Sequence, residues 1–267
     1  METSAEALRI ACEWLATEPP QTEHFRSGRH VGVDLPETTE TRLQELRRLD
    51  DHLGGADTTE LVEHELPDTE VVVREGSYTE ETGRRLFAVM SELYQLAGWT
   101  FSDAGHYVRA ERLYLDGVRA AHAARDTASA GNLLSSLSYQ VANVGRPSDA
   151  VLLARAALHG AGARARGRVR ALLLERIAWA HARAGEDTQT DRALDDVREA
   201  FDVPDQDEPD WVCWLDATEV DVMAGRCYVE LRRPLRAVPL LVEAASGEVN
   251  SERLATRVRH LAAKVAE

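Results

Sequence analysis

The stretch AGWTFSDAGHYVRAERLY, which runs from Ala97 to Tyr114, decides the fold. Small and bulky apolar residues recur in it at helical spacing, and Gly105 interrupts them near the middle. Glycine readily adopts the left-handed backbone conformation that ends many helices, so one helix should end at Gly105 and the next should begin at Tyr107. The stretch therefore predicts a helical hairpin rather than one continuous helix.

The same turn recurs along the chain at a fixed distance. The phrases DAGHYVRA, NVGRPSDA and RAGEDTQT place Gly105, Gly145 and Gly185 at intervals of 40 residues. A fourth turn, LRRPLRA at 231–237, repeats the proline-to-alanine spacing of the second turn. A fixed period in this range is typical of helical solenoids, in which each repeat packs on its neighbours.

Apolar residues at positions i, i+3, i+4 and i+7 predict helices over most of the chain. Strand patterns are nearly absent, and the phrase EVVVREG at 70–76 fits a helix end as well as a short strand. An acidic loop, DVPDQDEPD, is the clearest interruption of the helical pattern. The predicted helices cover about 3–17, 37–53, 57–74, 79–104, 107–124, 127–144, 147–161, 164–184, 187–202, 209–231, 234–246 and 250–265.

The hairpins resemble tetratricopeptide repeats (TPRs), in which small residues stand where the two helices cross and bulky residues surround them. In the first repeat Gly98, Ala110 and Gly117 occupy small positions, and Tyr94 and Tyr114 are bulky. This resemblance implies an all-α, right-handed helical-hairpin solenoid of about 11–12 helices. The implied domains are an N-terminal helical cap region, the repeats and a C-terminal capping helix, at 1–76, 77–248 and 249–267 respectively.

The chain also resembles the C-terminal helical sensor regions of helix-turn-helix transcription regulators from high-GC Gram-positive bacteria (actinobacteria). The phrases RRLDDHLGGADTTELVEHEL, YTEETGRRLFAVMSELYQLAGW and DWVCWLDATEVDVMAGRCYVELRRPLRAVPLL carry this resemblance. It implies a sensing or partner-binding role in gene regulation or specialised metabolism. No helix-turn-helix pattern precedes the resembling region, so we expect no DNA binding by the chain itself.

Composition argues against several classes of function. The formal net charge of -15 repels phosphate backbones, so direct nucleic-acid binding is disfavoured. No apolar run approaches the ~18 residues that a membrane span needs, and the N-terminus lacks the basic start of a signal peptide. The cysteines Cys12, Cys213 and Cys227 are odd in number and lack any metal-binding spacing. We therefore expect a cytoplasmic protein with reduced thiols and no membrane contact.

The repeat spacing predicts which side chains line the concave face of such a solenoid. One register gives Trp99, Tyr139 and Trp179, again 40 residues apart, followed by Arg226. Flat rings beside amide and charged groups suit a peptide or a planar ligand, whereas the alternative interpretation makes the same rings core residues between hairpins. The predicted ligand- or peptide-binding groove comprises Glu92, Gln95, Trp99, Asp103, Asn132, Tyr139, Asn143, Glu175, Trp179, Arg183, Glu219 and Arg226.

No pattern in the sequence is typical of a catalytic or metal site. The metalloprotease pattern H-E-x-x-H, a Gly-rich phosphate loop and the G-x-S-x-G motif are absent. The polar phrase DDHLGGAD at 50–57 is interpreted as a helix end followed by a helix cap. The acidic residues within 210–221 are interpreted as partners of a helix dipole. We therefore predict no catalytic residue, no metal site and no cofactor.

These observations predict a non-enzymatic, TPR-like regulatory or sensor module. The expected partner is a peptide, a protein or a small-molecule signal that binds in the groove. A second hypothesis is an enzyme or maturation factor in peptide natural-product biosynthesis that uses the aromatic and carboxylate groups of the groove. A third is a truncated regulator that pairs with a helix-turn-helix homologue. A homodimer formed through apolar surface at the solenoid ends or N-terminal helices is a further candidate assembly.

Overall fold

The computed structural model describes residues 5–19, 29–30, 34–53 and 55–246. Helices occupy nearly all of this part of the chain, which confirms the predicted all-α fold. The helices are α1 (Ala5–Ala16), α2 (Asp34–Leu53), α3 (Gly55–Glu75), α4 (Glu80–Asp103), α5 (Tyr107–Ala124), α6 (Thr127–Val144), α7 (Pro147–Ala161), α8 (Gly167–Arg183), α9 (Asp187–Phe201), α10 (Ala217–Glu230) and α11 (Pro234–Ser246). The helix predicted over 250–265 lies outside the described residues.

The described chain forms two compact units, residues 5–137 and residues 138–246, and the division falls within α6. In the first unit, α2, α3 and α4 contribute apolar side chains to one core that includes Leu43, Val62 and Leu93. A two-residue strand, β1 (Arg29–His30), pairs in parallel with β2 (Gly76–Ser77). The phrase EVVVREG therefore ends a helix and contributes only its last residue to this short pairing.

Helices α4 and α5 form an antiparallel hairpin whose crossing depends on glycine. A Cβ atom at Gly98 would lie 2.5 Å from the ring of Tyr114, and a Cβ atom at Gly117 would lie 2.9 Å from the Cβ atom of Tyr94. Both separations are too short for real side chains, so only glycine lets the two backbones come this close. The small and bulky positions predicted from the sequence therefore meet across this hairpin.

Within the described residues, four helices end in the same hydrogen-bonded turn. After each positive-φ residue, the next N–H donates to a carbonyl five residues earlier, as His106 does to Phe101 at 2.8 Å. This is the Schellman arrangement, which satisfies carbonyl groups that a helix end otherwise leaves unpaired. The positive-φ residues are Gly105 (82°), Arg125 (60°), Gly185 (73°) and Arg232 (55°). The glycine signal in the sequence thus marks two of these turns, and arginine takes the left-handed conformation in the other two.

The second unit repeats the hairpin arrangement in the pairs α8–α9 and α10–α11. A Cβ atom at Gly225 would lie 2.8 Å from Leu241, so glycine again sets how closely α10 and α11 approach. Helix α7 is joined to the last part of α6 by Ser138, whose hydroxyl donates to the carbonyl of Ala150 at 2.8 Å. A small residue therefore lies at the α6–α7 contact and at the α10–α11 contact.

The acidic loop that begins at 202 folds back on the first turn of α8. The carboxylate of Glu208 accepts a hydrogen bond from the backbone N–H of Arg168 at 2.9 Å. Gly167, which precedes this N–H, has a φ of 47°, and a Cβ atom there would lie 2.6 Å from the same carboxylate. A carboxylate in this place satisfies an otherwise unpaired N–H and complements the helix dipole.

The prediction of one continuous helix over 209–231 is wrong. Asp210–Val212 form only a short 3₁₀ turn, and α10 begins at Ala217. The carboxylate of Asp216 accepts the N–H of Glu219 at 2.9 Å and so caps α10. An aspartate that caps a helix holds an extended backbone itself, and this local bond outweighs the apolar periodicity that continues through the preceding residues.

Candidate functional site

Three helices of the second unit bring one cationic and two aromatic side chains together. Tyr139 from α6, Trp179 from α8 and Arg226 from α10 are the residues that one predicted register aligned. The Cζ atom of Arg226 lies 3.7 Å from the centroid of the Trp179 ring and 4.9 Å from that of the Tyr139 ring. The two ring centroids are 6.4 Å apart, with an interplanar angle of 33°. This geometry is that of a cation–π contact.

Asn143 ties these three side chains into one polar network. Its Oδ1 atom accepts the Nε1–H of Trp179 at 3.1 Å and an Nη2–H of Arg226 at 3.3 Å. The Nη1 atom of Arg226 donates to the hydroxyl of Tyr139. We call Tyr139, Asn143, Trp179 and Arg226 the arginine–aromatic cluster. The amide oxygen of Asn143 is thus used inside the cluster, where the sequence suggested that it would grip a peptide backbone.

An ion pair flanks the cluster four residues further along α8 and α10. The Nη1 atom of Arg183 lies 2.5 Å from Oε1 of Glu230, and its Nε–H donates to the carbonyl of Ala142 at 3.0 Å. Arg226 differs from Arg183 in this respect, because it forms no ion pair with any carboxylate in the described part of the chain. Among the described residues, the guanidinium of Arg226 therefore contacts aromatic rings and neutral oxygens and forms no ion pair.

A second ion pair lies almost completely buried beside the cluster. Glu175 is 1% exposed and Arg176 is 6% exposed, and the Oε2 and Nη1 atoms that join them are 2.7 Å apart. The Cζ atom of Arg176 lies 4.6 Å from the ring centroid of Tyr139. Within the described residues, Oε1 of Glu175 and Nε of Arg176 have no hydrogen-bond partner. Buried polar atoms are rarely left unpaired, so each of these two atoms calls for an explanation.

The sequence left open whether the aromatic residues line a groove or belong to the core, and their burial differs from one side chain to the next. Trp179 is 4% exposed and has the burial of a core residue. Tyr139, Asn143 and Arg226 are half-buried, so part of the cluster is accessible from the solvent. The buried indole of Trp179 therefore contacts Asn143 and Arg226, two residues that are only partly buried.

Two further residues of α10, Cys227 and Glu219, are buried. Cys227 is fully buried, and burial together with the nearby Glu175 carboxylate raises the pKa of its thiol well above the ordinary value. The thiol therefore stays protonated at neutral pH and is a poor nucleophile. Glu219, a predicted groove residue, is buried in the first turn of α10.

The other predicted groove residues belong to the first unit, where they have different surroundings. Glu92 forms an ion pair with Arg47 at 2.7 Å. The side-chain amide of Gln95 donates to the hydroxyl of Ser136 at 3.4 Å. The remaining three show no common environment, since Trp99 is half-buried, Asp103 exposed and Asn132 buried.

The first unit has a polar cluster of its own around Tyr94. The Tyr94 hydroxyl donates to Oε1 of Glu70 at 2.6 Å, and burial and this bond raise the pKa of Tyr94. Arg119 binds both Asp116, at 2.5 Å, and Glu6, at 3.0 Å. Burial raises the pKa of Asp116, and Arg119 partly offsets that rise. These bonds join α1, α3, α4 and α5, which is a structural role.

Sequence reasoning overlooked Arg176 and did not include Glu230 among the site residues. Arg176 and Glu175 are adjacent charges inside the apolar run ALLLERIAWA, at 171–180. Charged residues are almost never fully buried unless they are paired, so a charge doublet in an apolar helix was the signal that could have revealed this buried pair. Glu230 occupies the same repeat position as Arg183 in the predicted register. Their opposite charges were a second signal, which could have predicted the ion pair between them.

The described residues show neither a metal site nor a membrane span. In that part of the chain, no group of three or more His, Cys, Asp or Glu side chains is placed to hold a metal ion. None of the helices described there combines the length and apolar character needed to cross a bilayer. The histidine-containing phrase DDHLGGAD spans the end of α2 and the start of α3, and its side chains lie outside the description.

Comparisons with known proteins add no assignment to this picture. No family model matches the chain, and no curated protein matches it. The resemblance to helix-turn-helix regulators therefore stays a prediction that rests on the sequence phrases. The case for a function has to be made from the chemistry of the arginine–aromatic cluster.

Proposed function

We propose that this chain is a TPR-like regulatory or sensor module that binds a peptide, a protein partner or a small-molecule signal at the arginine–aromatic cluster. It acts without DNA binding of its own and changes the activity of the partner that it regulates. The helix-turn-helix homologue suggested by the sequence is one such partner, and a second copy of the chain is another.

The state of Arg226 is the observation that carries this proposal. Its guanidinium stacks on the buried ring of Trp179 and is half-buried, yet no carboxylate in the described chain balances its charge. Removing a cation partly from water costs free energy that rings and neutral oxygens repay only in part. A binding site accepts such a cost because the ligand supplies the missing partner, whereas a purely structural arginine would ordinarily have an internal carboxylate.

The helical hairpins support the TPR-like part of the proposal. The α4–α5 and α10–α11 pairs each have a glycine at the helix contact, and the same turn ends four helices. Repeats of this kind place equivalent side chains at equivalent heights, which accounts for the meeting of Tyr139, Trp179 and Arg226. A cap over 1–76, repeats over 77–248 and a terminal cap over 249–267 remain the domain organisation that we propose.

The charge of the chain supports the regulatory part of the proposal. A net charge of -15 disfavours contact with a phosphate backbone, so control of transcription would act through a partner. The resemblance to the sensor regions of actinobacterial regulators points to the same kind of role. Localisation in the cytoplasm, where such partners reside, belongs to this proposal as well.

Native mass spectrometry of the protein purified gently from its own cells tests the proposal. We expect a co-purifying molecule on the wild-type chain that is lost or reduced in the Arg226→Gln variant. The matched control is Arg236→Gln, because Arg236 is exposed on α11 and pairs with Asp191 at 2.7 Å. Equal retention in both variants, or no retained molecule and no partner in any form of the protein, would contradict binding at this cluster.

A further inference from the structure

We infer that the outer face of α11 is a docking surface for a later segment of the same chain, residues 250–265, which returns along α11 as an antiparallel helix. The inference does not depend on the arginine–aromatic cluster. It gives the terminal cap over 249–267 a contact surface, a register and a consequence for self-association.

Helix α11 is apolar on two faces, and only one of them is covered. Its inner face packs on α10, where Ala237 and Leu241 are buried. Its outer face exposes Leu235 to 92%, Val238 to 42% and Val242 to 61%. The spacing i, i+3 and i+7 places these three side chains in one stripe along the helix. Among the described side chains, no other helix exposes more than two large apolar ones, so this stripe marks a contact surface.

The chain that follows α11 is placed to reach this stripe. Helix α11 ends at Ser246, and the sequence predicts the next helix over 250–265. Three residues, 247–249, separate the two helices, and three residues also join α4 to α5, α8 to α9 and α10 to α11. A connection of this length places consecutive helices side by side and antiparallel. The segment therefore lies within reach of α11 without any long linker.

The apolar residues of the segment match the exposed ones of α11 in register. Residues equally far from the turn of an antiparallel hairpin lie opposite each other. Gly98 and Tyr114, which meet between α4 and α5, each lie eight residues from position 106. Three pairs of apolar residues lie six, ten and thirteen residues on either side of position 248, the middle of the connection: Val242 and Leu254, Val238 and Val258, and Leu235 and Leu261. The predicted helix thus has an apolar residue opposite each exposed one.

The charge of the segment favours it over a second copy of the chain. Residues 250–265 contain four basic residues and one acidic residue, a formal charge of +3 in a chain whose net charge is -15. The segment is attracted to the acidic remainder, whereas two copies of the chain repel each other. A stable dimer also ordinarily uses roughly 20–30 residues on each side, more than one face of the 13-residue α11 provides.

The docked segment closes this end of the helical array. Burial of the stripe removes apolar surface from water, which stabilises the closed arrangement. The segment is tethered to α11, so it occupies the stripe in preference to an untethered competitor. The outer face of α11 is then closed to a second copy, and a homodimer has to form through another surface.

Disulfide trapping in the 267-residue chain tests the contact and its register. Serine first replaces the exposed Cys12 and Cys213, and Val238→Cys and Val258→Cys are then introduced together. We expect mild oxidation to form an intramolecular disulfide, which intact mass spectrometry detects as a monomer lighter by two hydrogen atoms. The control combines Val258→Cys with Leu152→Cys, an exposed apolar position on α7, and should stay reduced.

The products of this oxidation distinguish the possible occupants of the stripe. A monomeric disulfide in the Val238–Val258 pair that is absent from the control supports docking within one chain. A covalent dimer through the same pair would assign the stripe to a second copy and overturn the inference. Equal cross-linking in the control, or no cross-link in either pair, would overturn it as well.

Amide hydrogen exchange measures the docking without introduced cysteines. Isolated helices of about 15 residues are marginal in water, so slow exchange of the 250–265 amides reports packing against α11. We expect Leu235→Asp to speed this exchange at least about tenfold, because burial of one leucine is worth a factor of that size or more. Leu152→Asp should leave it unchanged. Both side chains are exposed, so both variants should fold.

Two results of the exchange experiment would contradict the docking. One is fast exchange of the 250–265 amides in the wild type, and the other is equal exchange in the wild type and Leu235→Asp. Neither experiment changes Arg226, so failure here leaves the proposed function of the arginine–aromatic cluster standing. Loss of ligand binding in Arg226→Gln likewise says nothing about the α11 surface.

Discussion

The α4–α5 hairpin of the first unit and the α8–α11 region of the second are built in the same way but use their polar side chains differently. In both, a glycine allows two helices to approach closely, and a Schellman turn ends the first helix. In the first unit Glu92 is paired with Arg47. In the second unit the equivalent face gathers Trp179 and Arg226 and leaves the arginine without a carboxylate.

This difference shows that helical hairpins with the same kind of close crossing can pair their polar side chains differently. A repeat fixes where side chains emerge, but it does not fix whether their charges cancel. The first unit pairs Glu92 with Arg47 and Tyr94 with Glu70, contacts that connect its helices. The second unit leaves Oε1 of Glu175 and Nε of Arg176 without a hydrogen-bond partner in the described chain. It also leaves Arg226 without an ion pair to any described carboxylate.

The largest predicted effect on the free energy of unfolding distinguishes Trp179 from Trp99, the two tryptophans of the predicted register. Trp179→Ala should lower the free energy of unfolding by about 3–5 kcal/mol, because it removes a buried ring and the support of Arg226. Trp99→Ala should cost less, since Trp99 is half-buried. Urea denaturation followed by circular dichroism measures both. An equal loss in the two variants would remove the distinction between the units that we draw here.

The next largest effect on stability distinguishes the buried Glu175–Arg176 ion pair from the more exposed Arg47–Glu92 pair. Glu175→Gln should destabilise the protein by about 3 kcal/mol, because it leaves the charge of Arg176 buried without a counter-charge. The corresponding control, Glu92→Gln, affects a pair with side chains 20% and 26% exposed and should cost less than about 1 kcal/mol. Thermal unfolding compares them. A cost for Glu92→Gln as large as that for Glu175→Gln would show that exposure does not distinguish the two pairs.

A smaller effect on stability tests the close helix crossing at a glycine, which both units contain. Gly98→Ala and Gly225→Ala should each destabilise by about 1–3 kcal/mol, since the added methyl group would meet Tyr114 and Leu241 respectively. The sign is the informative part, because the same change in an exposed helix stabilises by about 1 kcal/mol. Chemical denaturation of both variants beside Glu81→Ala, an exposed position on α4, gives the comparison. Stabilisation at either glycine would contradict the close crossing.

The smallest effect is a pH dependence at Asp221 in the second unit. Burial raises the pKa of its carboxyl above the ordinary value of 3.8, Arg198 lowers it and Glu243 raises it further. The folded protein therefore holds this proton more tightly than the unfolded chain, so Asp221 costs stability as pH rises through the interval above 3.8. Asp221→Asn should gain stability relative to the wild type between about pH 3 and about pH 7, as calorimetry would show. A relative stability that falls over this range would contradict the sign.

The helix boundaries were largely predictable because the signals that set them are local. The predicted ranges 107–124, 127–144 and 147–161 coincide with α5, α6 and α7. A glycine in the left-handed conformation and a proline at the first helical position act within a few residues of their own place in the chain. The prediction over 209–231 was wrong because the capping bond of Asp216 competed with the apolar spacing and prevailed.

The candidate site was only partly predictable. The period of 40 residues aligned Tyr139 with Trp179, and extending it to the fourth hairpin reached Arg226. The buried pair of Glu175 and Arg176 was not foreseen, since a helical register does not reveal which charges will be removed from water. The hydrogen bond between Arg226 and Tyr139 joins residues 87 positions apart, and no local signal marks such a partner.

The sequence by itself determined that this chain is helical, where most of its helices begin and end, and which small residues allow two of them to cross. These properties depend on periodicity, on capping groups and on backbone conformation, all of which act over a few residues. Only the tertiary structure decided which charges are paired and which are not. Pairing depends on distances between distant parts of the chain and on the water that packing excludes, so the unbalanced Arg226 and the buried Glu175 became visible only in the folded molecule.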